Sequence, residues 1–326
     1  MVDPVTRVGL QLSGYTRSGI SDRDLFTGVV DTVLAAERSG FDSVWVMDHL
    51  HQISTVGEAE EPILEAYTTL AALAALTSRV RLGALVSACG FRNPALLAKM
   101  VTTLDVISRG RAILGIGAGW HEEEYRAYGL EFPPARERLR QLEEAVRVCR
   151  KMFTDPEGRG GPDRTGPVPL NVPPPVQIGG PPILIGGGGE KVLLPLVARH
   201  GDACNLFGAP ATVRHKIAVL RRACADIGRD PDEITMTWLG TAIVTESEWE
   251  LKEQVERLAA LFKLPPRAVR GFALSGTPDE VARQVAAYRR EGIEGIIVNV
   301  LDAGDVRHVE RVGSVVREAM AARETG

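Results

Sequence analysis

Two hydrophobic rhythms alternate along the chain. Short runs rich in Val, Ile and Leu lie near 7–12, 42–47, 79–86, 111–116, 182–186, 202–206, 234–244 and 293–300. Each is bounded by polar or glycine-containing segments, the mark of a β-strand. Between them apolar residues recur at helical spacing, near 22–39, 65–77, 94–107, 136–152, 190–199, 210–227, 248–262, 278–291 and 305–323. Val29, Val30, Val33 and Leu34 form one such stripe, and Leu142, Ala145, Val146 and Cys149 another.

The strand runs are nearly continuous in apolar character, as expected of a parallel sheet covered on both faces. Eight strand–helix units therefore predict an α/β fold, a (β/α)8 TIM barrel with insertions, formed by residues 1–326 as one domain. Helix punctuation agrees. Ser21 or Asp22 is placed to cap the first helix, Asn93-Pro94 opens the third, and Thr277-Pro278-Asp279-Glu280 is a strong helix start. Gly40, Gly129 and Gly292 stand where helices or turns stop. Two insertions depart from a minimal barrel. The Pro/Gly-rich stretch 153–181 reads as a long loop or lid, and an extra helical segment surrounds Leu264-Pro265-Pro266.

Charge narrows the partners. With 38 basic and 42 acidic residues, the chain carries a net −4 and lacks the footprint of a nucleic-acid binder. No stretch is apolar enough to span a membrane, and the N-terminus lacks a basic segment followed by an apolar one, so a cytoplasmic location is expected. Cys89, Cys149, Cys204 and Cys224 are scattered singly, which suggests neither a zinc site nor a disulfide framework. The expected partner is a small organic molecule.

In a barrel of this kind chemistry sits at the C-terminal ends of the strands. The second strand delivers Trp45 and then Asp48-His49, the third Ser87 and then Arg92, and the fourth Gly117-Ala118-Gly119-Trp120-His121. The fifth delivers Gly186, Gly187, Gly188, Gly189 and Glu190. Asn205, Asn299 and Asp302 follow later strands. Four successive glycines let a backbone approach an anion closely, so a phosphate site is preferred over a merely flexible turn. Gly115-Gly117-Gly119 lacks the third glycine of a dinucleotide fingerprint, because Trp120 stands there. His49 is the sharpest catalytic candidate, since imidazole exchanges protons near neutral pH; the alternative is a hydrogen-bonded histidine at a strand end. Trp120 is expected in a pocket wall, whereas Trp45 suits either wall or core. His49 with His51 makes too small a set for a metal. A phosphosugar isomerase or aldolase reading lacks a Schiff-base lysine within the strands.

The blocks Gly40-Phe41-Asp42-Ser43-Val44-Trp45 with Asp48-His49, Thr77 to Pro94, Thr103 to Arg111, Gly115 to Trp120 and Gly186 to Glu190 carry a resemblance. The chain resembles the bacterial luciferase-like superfamily, and within it the oxidoreductases that use the deazaflavin coenzyme F420. The resemblance implies a homodimer with the cofactor ring at the barrel mouth and its phosphate near the fifth strand's loop. It implies a non-proline cis peptide at Leu85-Val86, give or take one residue, propping the ring. It also places Asp48 beside the cofactor, with His49 as the proton donor or acceptor. Family sugar-phosphate dehydrogenases carry glutamate where Trp120 stands, so a more apolar substrate is expected. An FMN-dependent monooxygenase is the alternative.

Overall fold

The computed structural model describes residues 4–15, 21–158, 168–261, 264–300 and 304–322. Eight parallel strands close into a barrel: β1 (Val8–Leu12), β2 (Ser43–Val46), β3 (Arg81–Ala84), β5 (Ala112–Gly117), β6 (Ile183–Gly186), β7 (Ala203–Leu206), β8 (Thr235–Val244) and β10 (Gly295–Asn299). The ring closes where β10 pairs with both β1, as Val8↔Ile296, and β8, as Gly295↔Thr237. A two-residue strand, β4 (Ser87–Ala88), continues the third strand's path beside β5. The predicted (β/α)8 barrel is therefore what forms.

Alternation is present in the strands but hidden, because both of their faces are apolar. Trp45, Ile113, Leu184, Ala203 and Ile297 pack together in the barrel interior. Their neighbours Val44, Val46, Ala112, Leu114, Ile183, Ile185, Cys204, Ile296 and Val298 join the larger core under the helices. One face of each strand thus fills the lumen and the other seats a helix.

Trp45 is the bulkiest lumen residue, and its neighbours yield space to it. A Cβ built on Gly9 lies 2.7 Å from the Trp45 indole nitrogen, and one on Gly83 lies 2.9 Å from the ring. We expect Gly83→Val to lower stability by about 1–3 kcal/mol through overpacking, read as an earlier urea midpoint. Valine is the better strand former, so an unchanged or later midpoint would show that the lumen accommodates it.

Helix starts follow the sequence in two of three cases. Asn93 accepts the Ala95 amide at the head of α3 (Pro94–Ser108), and Thr277 forms a full capping box with Glu280 at the head of α10 (Pro278–Arg290). The first helix differs: a 3-10 turn, Asp22–Asp24, precedes α1 (Leu25–Ser39). There the Ser21 hydroxyl bonds the Asp24 carboxylate instead of a backbone amide. Gly40 ends α1 in the left-handed region, at φ 101°.

The two insertions lie at opposite ends of the barrel. The 153–181 stretch joins α5 (Ala135–Thr154) to β6, and a helix-to-strand link belongs to the N-terminal rim. Its described part is pinned there. The Val176 and Gln177 amides donate to Asp105 at 2.7 and 3.0 Å, and the Gln177 side-chain amide donates to the Ala112 carbonyl at 2.8 Å. The lid reading therefore fails for residues 168–181; 159–167 lie outside the described residues. The other insertion follows β8 at the mouth, as α8 (Glu248–Leu261), α9 (Pro266–Phe272) and an unpredicted strand, β9 (Ala273–Gly276). β9 pairs with the overhanging end of β8, Thr241↔Ala273 to Val244↔Gly276. Among the described residues no helix is long and apolar enough to cross a membrane. All four cysteines are buried free thiols.

Candidate active site

Two chambers adjoin at the C-terminal mouth. The first, about 630 Å3, is lined by Asp48, His49, Leu85, Val86, Gly117 to His121, Glu124 and Gly186 to Leu193, with Asn205 behind. The second, about 610 Å3, is lined by Gln11, Ser13, Met47, Ile53 to Val56, Gly208, Trp238 to Thr241, Leu264 and Asn299. His49, Leu85, Trp120, Phe207 and Leu239 line both.

The first chamber has a wall stripped of side chains. A Cβ on Gly117 would come within 2.8 Å of Val86, and one on Gly186 within 3.0 Å. The wall stays flat because glycine occupies both positions, leaving Val86 to project into the space. The Leu85–Val86 peptide bond is cis, at the position the resemblance implied. A Cβ built on Gly188 or Gly189 makes only ordinary contacts, 3.6 Å to the Lys216 side chain and 3.5 Å to Leu193, and both residues line the chamber. The Gly187 amide is already engaged, donating to the Asn205 carbonyl at 3.1 Å.

Positive charge gathers around this loop. Lys191 lines the chamber. Glu190 is gripped by Lys216 at 2.5 Å and His215 at 3.2 Å, both from α7 (Pro210–Asp226), and these bonds hold its carboxyl below the usual range. The carboxylate is thereby balanced instead of repelling an anion at the glycines. Lys216 and His215 lie far along the chain from the glycine run, and no local pattern marks them. A planar ring against Val86 and the glycines, with an anionic tail at 186–191, fits the residues present.

Asp48 and His49 diverge, as neighbours at a strand end should. Both Asp48 oxygens accept from Arg92, at 2.6 and 3.0 Å, and Arg92 also reaches Glu65 at 2.6 Å. Burial opposes the Arg92 charge, but the Asp48 contacts more than offset this, so its proton is held more tightly than usual. His49 turns the other way, its Nδ1 lying 2.9 Å from Glu124 Oε2. Glu124 belongs to α4 (Glu122–Ala127), and its other oxygen accepts the Leu50 amide. Burial pushes its carboxyl up, yet the bonds from His49 and Leu50 prevail and hold it below the ordinary range. Sequence reasoning missed Glu124, because a Glu-Glu-Glu run at a helix start reads as solvated.

The remaining candidates separate cleanly. Trp120 is 59% exposed, on the rim of both chambers, with its ring 5.8 Å from that of His49. Trp45 is core. Ser87, grouped by position with the cofactor residues, is instead fully buried, its hydroxyl 2.9 Å from that of Tyr67 and outside the chamber lining. The short strand β4 turns it behind the wall, towards α2 (Ala66–Leu76). Asp302 lies outside the described residues.

The sequence profile of the luciferase-like monooxygenases matches residues 7–295. The chain belongs to this family. It is accordingly an oxidoreductase. Among its relatives, the phthiodiolone/phenolphthiodiolone dimycocerosates ketoreductase of Mycobacterium tuberculosis is 28% identical over 334 residues, covering 82% of this chain and 86% of that one. The F420-dependent glucose-6-phosphate dehydrogenase of Kineococcus radiotolerans is 29% identical over 302 residues, with the same coverage. The structure of an F420-dependent secondary alcohol dehydrogenase, solved with an F420-acetone adduct, superposes with a TM-score of 0.79 at 20% identity, covering 97% of this chain and 99% of that one.

Proposed function

We propose that this chain is a coenzyme F420-dependent oxidoreductase that moves a hydride between the deazaflavin and a small, fairly apolar organic substrate, with His49 exchanging the accompanying proton. One observation carries the reading: His49 stands on the boundary of two chambers of different chemistry. The first offers a flat glycine and valine wall and a cationic loop, suited to a ring with an anionic tail. Val86, Gly117 and Gly186 would back the ring; Gly188, Gly189 and Lys191 would meet the tail. Bound there, F420 would supply a carbon that carries two electrons as hydride and no radical chemistry.

The second chamber supports the substrate assignment. Among the described residues its lining holds no Lys, Arg, Asp or Glu, while Phe207, Trp238, Leu239 and Leu264 provide apolar surface. Of the polar groups that the strands bring to it, Thr241 donates to Asn299 at 2.7 Å and the Gln11 side-chain amide donates to the Leu85 carbonyl at 3.2 Å. A charged substrate would lose its hydration there without compensation, so neutral molecules are favoured. The relatives whose names specify a ketoreductase and a secondary alcohol dehydrogenase support the same class.

Titrating purified apoprotein with F420 and separately with FMN, followed by cofactor fluorescence, tests the reading. Saturable F420 binding is expected, then turnover of apolar ketones or secondary alcohols in preference to sugar phosphates. Tight FMN binding with no response to the deazaflavin overturns it in favour of an FMN-dependent monooxygenase, the reaction after which the matching family is named.

A further inference from the structure

Glu124 receives no role in the reading above, yet it is a buried carboxylate facing His49. Its side chain is 1% exposed, and among the described residues no lysine or arginine is paired with it. Its oxygens are divided, Oε2 facing His49 Nδ1 at 2.9 Å and Oε1 accepting the Leu50 amide. The Leu50 carbonyl is in turn held by the Tyr128 hydroxyl at 2.9 Å. The carboxylate is therefore fixed in position relative to the end of β2. An ionised carboxylate only accepts hydrogen bonds, so the nitrogen it faces carries the hydrogen.

We infer that Glu124 is the positioning residue of the site, locking the neutral His49 ring as the Nδ1–H tautomer so that Nε2 is the atom that takes and returns the substrate proton. A neutral imidazole with hydrogen on Nδ1 has its lone pair on Nε2, the arrangement needed to accept a proton from a hydroxyl. In the opposite direction the doubly protonated ring carries a positive charge, which Glu124 balances while Nε2 gives its proton to a carbonyl oxygen. No proton passes to Glu124 itself. Other ionisable groups facing this corner include His121, its ring 6.2 Å from that of His49, His51, which packs on His121 at 5.2 Å, and the Tyr125 phenol, which feels the Glu124 charge. Asp48 is occupied by Arg92. None of these is bonded to the His49 ring, so Glu124 is the group that selects the tautomer.

The inference rests on the proposed proton role of His49, but its first test does not. Long-range 1H–15N spectra of histidine-labelled apoprotein, with His49 assigned from the peaks lost in His49→Gln, report the tautomer without cofactor or substrate. The Nδ1–H form is expected in the wild type above the range where imidazole titrates. Glu124→Gln keeps the shape and removes the charge, and its spectrum is expected to show a mixture or the Nε2–H form. A wild-type ring in the Nε2–H form, or an unchanged tautomer in the variant, overturns the inference even if F420 binds. With an active holoenzyme, Glu124→Gln should lower kcat by about 10- to 100-fold with cofactor affinity nearly unchanged. An unchanged kcat overturns it as well. Failure to bind F420 sinks the cofactor assignment alone and leaves the tautomer result standing. The wild-type spectrum needs no variant, so poor folding of Glu124→Gln does not protect the inference.

Discussion

His49→Ala is expected to lower turnover by about 10²–10⁴-fold, the usual contribution of a general acid or base, while cofactor affinity changes little. The separation of the two effects follows from where the ring sits. It borders both chambers, whereas the groups suited to hold a cofactor, Val86, the Gly117 and Gly186 wall and the 186–191 loop, belong to other strands. Removing the imidazole leaves that wall in place and takes away a proton exchanger at the junction. Alanine also strips Glu124 of its ring partner, which adds a stability cost of its own because a buried acceptor goes unsatisfied. His49→Gln, which retains an N–H for the carboxylate, separates these contributions. Both variants should turn over slowly, and only the alanine form should melt markedly earlier. The measurement is steady-state rate against cofactor dissociation constant, with thermal melting alongside. A normal rate in either variant removes His49 from proton transfer. Cofactor binding lost together with the rate would make His49 a wall residue.

The sequence discloses the parts of this molecule that depend on repetition or on local chemistry. Eight apolar runs separated by helical stripes favour a closed barrel over two doubly wound sheets, and the division between Trp45, Ile113 and Leu184 inside and their neighbours outside is that of the barrel. Asn93 and the Thr277 capping box are local signals and appear where expected. What escapes are features made by distance. β9, with the sequence Ala-Leu-Ser-Gly, is too short and too poor in branched residues to read as a strand, and it exists because β8 overhangs its neighbours. The mouth shows the same division. Asp48, His49, Arg92 and the tetraglycine turn are legible from their strand ends, whereas the pairing of Arg92 with Asp48 and the partners Glu124 and Lys216 depend on elements that only the closed barrel brings together. Ser87 follows the third strand in sequence, yet the short strand β4 turns its hydroxyl to Tyr67 behind the wall, a turn that no local pattern announces. The stretch 153–181 reads as a loop or a lid alike, because composition does not reveal at which end of a barrel a loop emerges.

Arg92→Ala should produce the largest loss of stability at the mouth, about 3–5 kcal/mol, the range for removing one member of a buried ion pair. Among the described residues Arg92 is the partner of both Asp48 side-chain oxygens, and the Asp48 side chain is completely buried while that of Arg92 is only 12% exposed. The guanidinium also lies over the Tyr67 ring, at 4.9 Å, and bonds Glu65, whose carboxylate caps the first turn of α2 through the Tyr67 and Thr68 amides. One side chain thus ties the end of β2, which carries His49, to the head of α2. Without it a buried carboxylate keeps its desolvation cost and loses the attraction that offset it. The contact to Glu65 matters less, since that carboxylate is 40% exposed and water can replace the lost partner. The loss should be seen in urea unfolding of the apoprotein. Adding Asp48→Asn to Arg92→Ala removes the stranded charge and should recover part of the stability, so that the two changes are strongly non-additive. If Arg92→Ala unfolds within about 1 kcal/mol of the wild type, or if the two losses simply add, then Asp48 does not depend on Arg92 and this link is not what holds the β2 end in place.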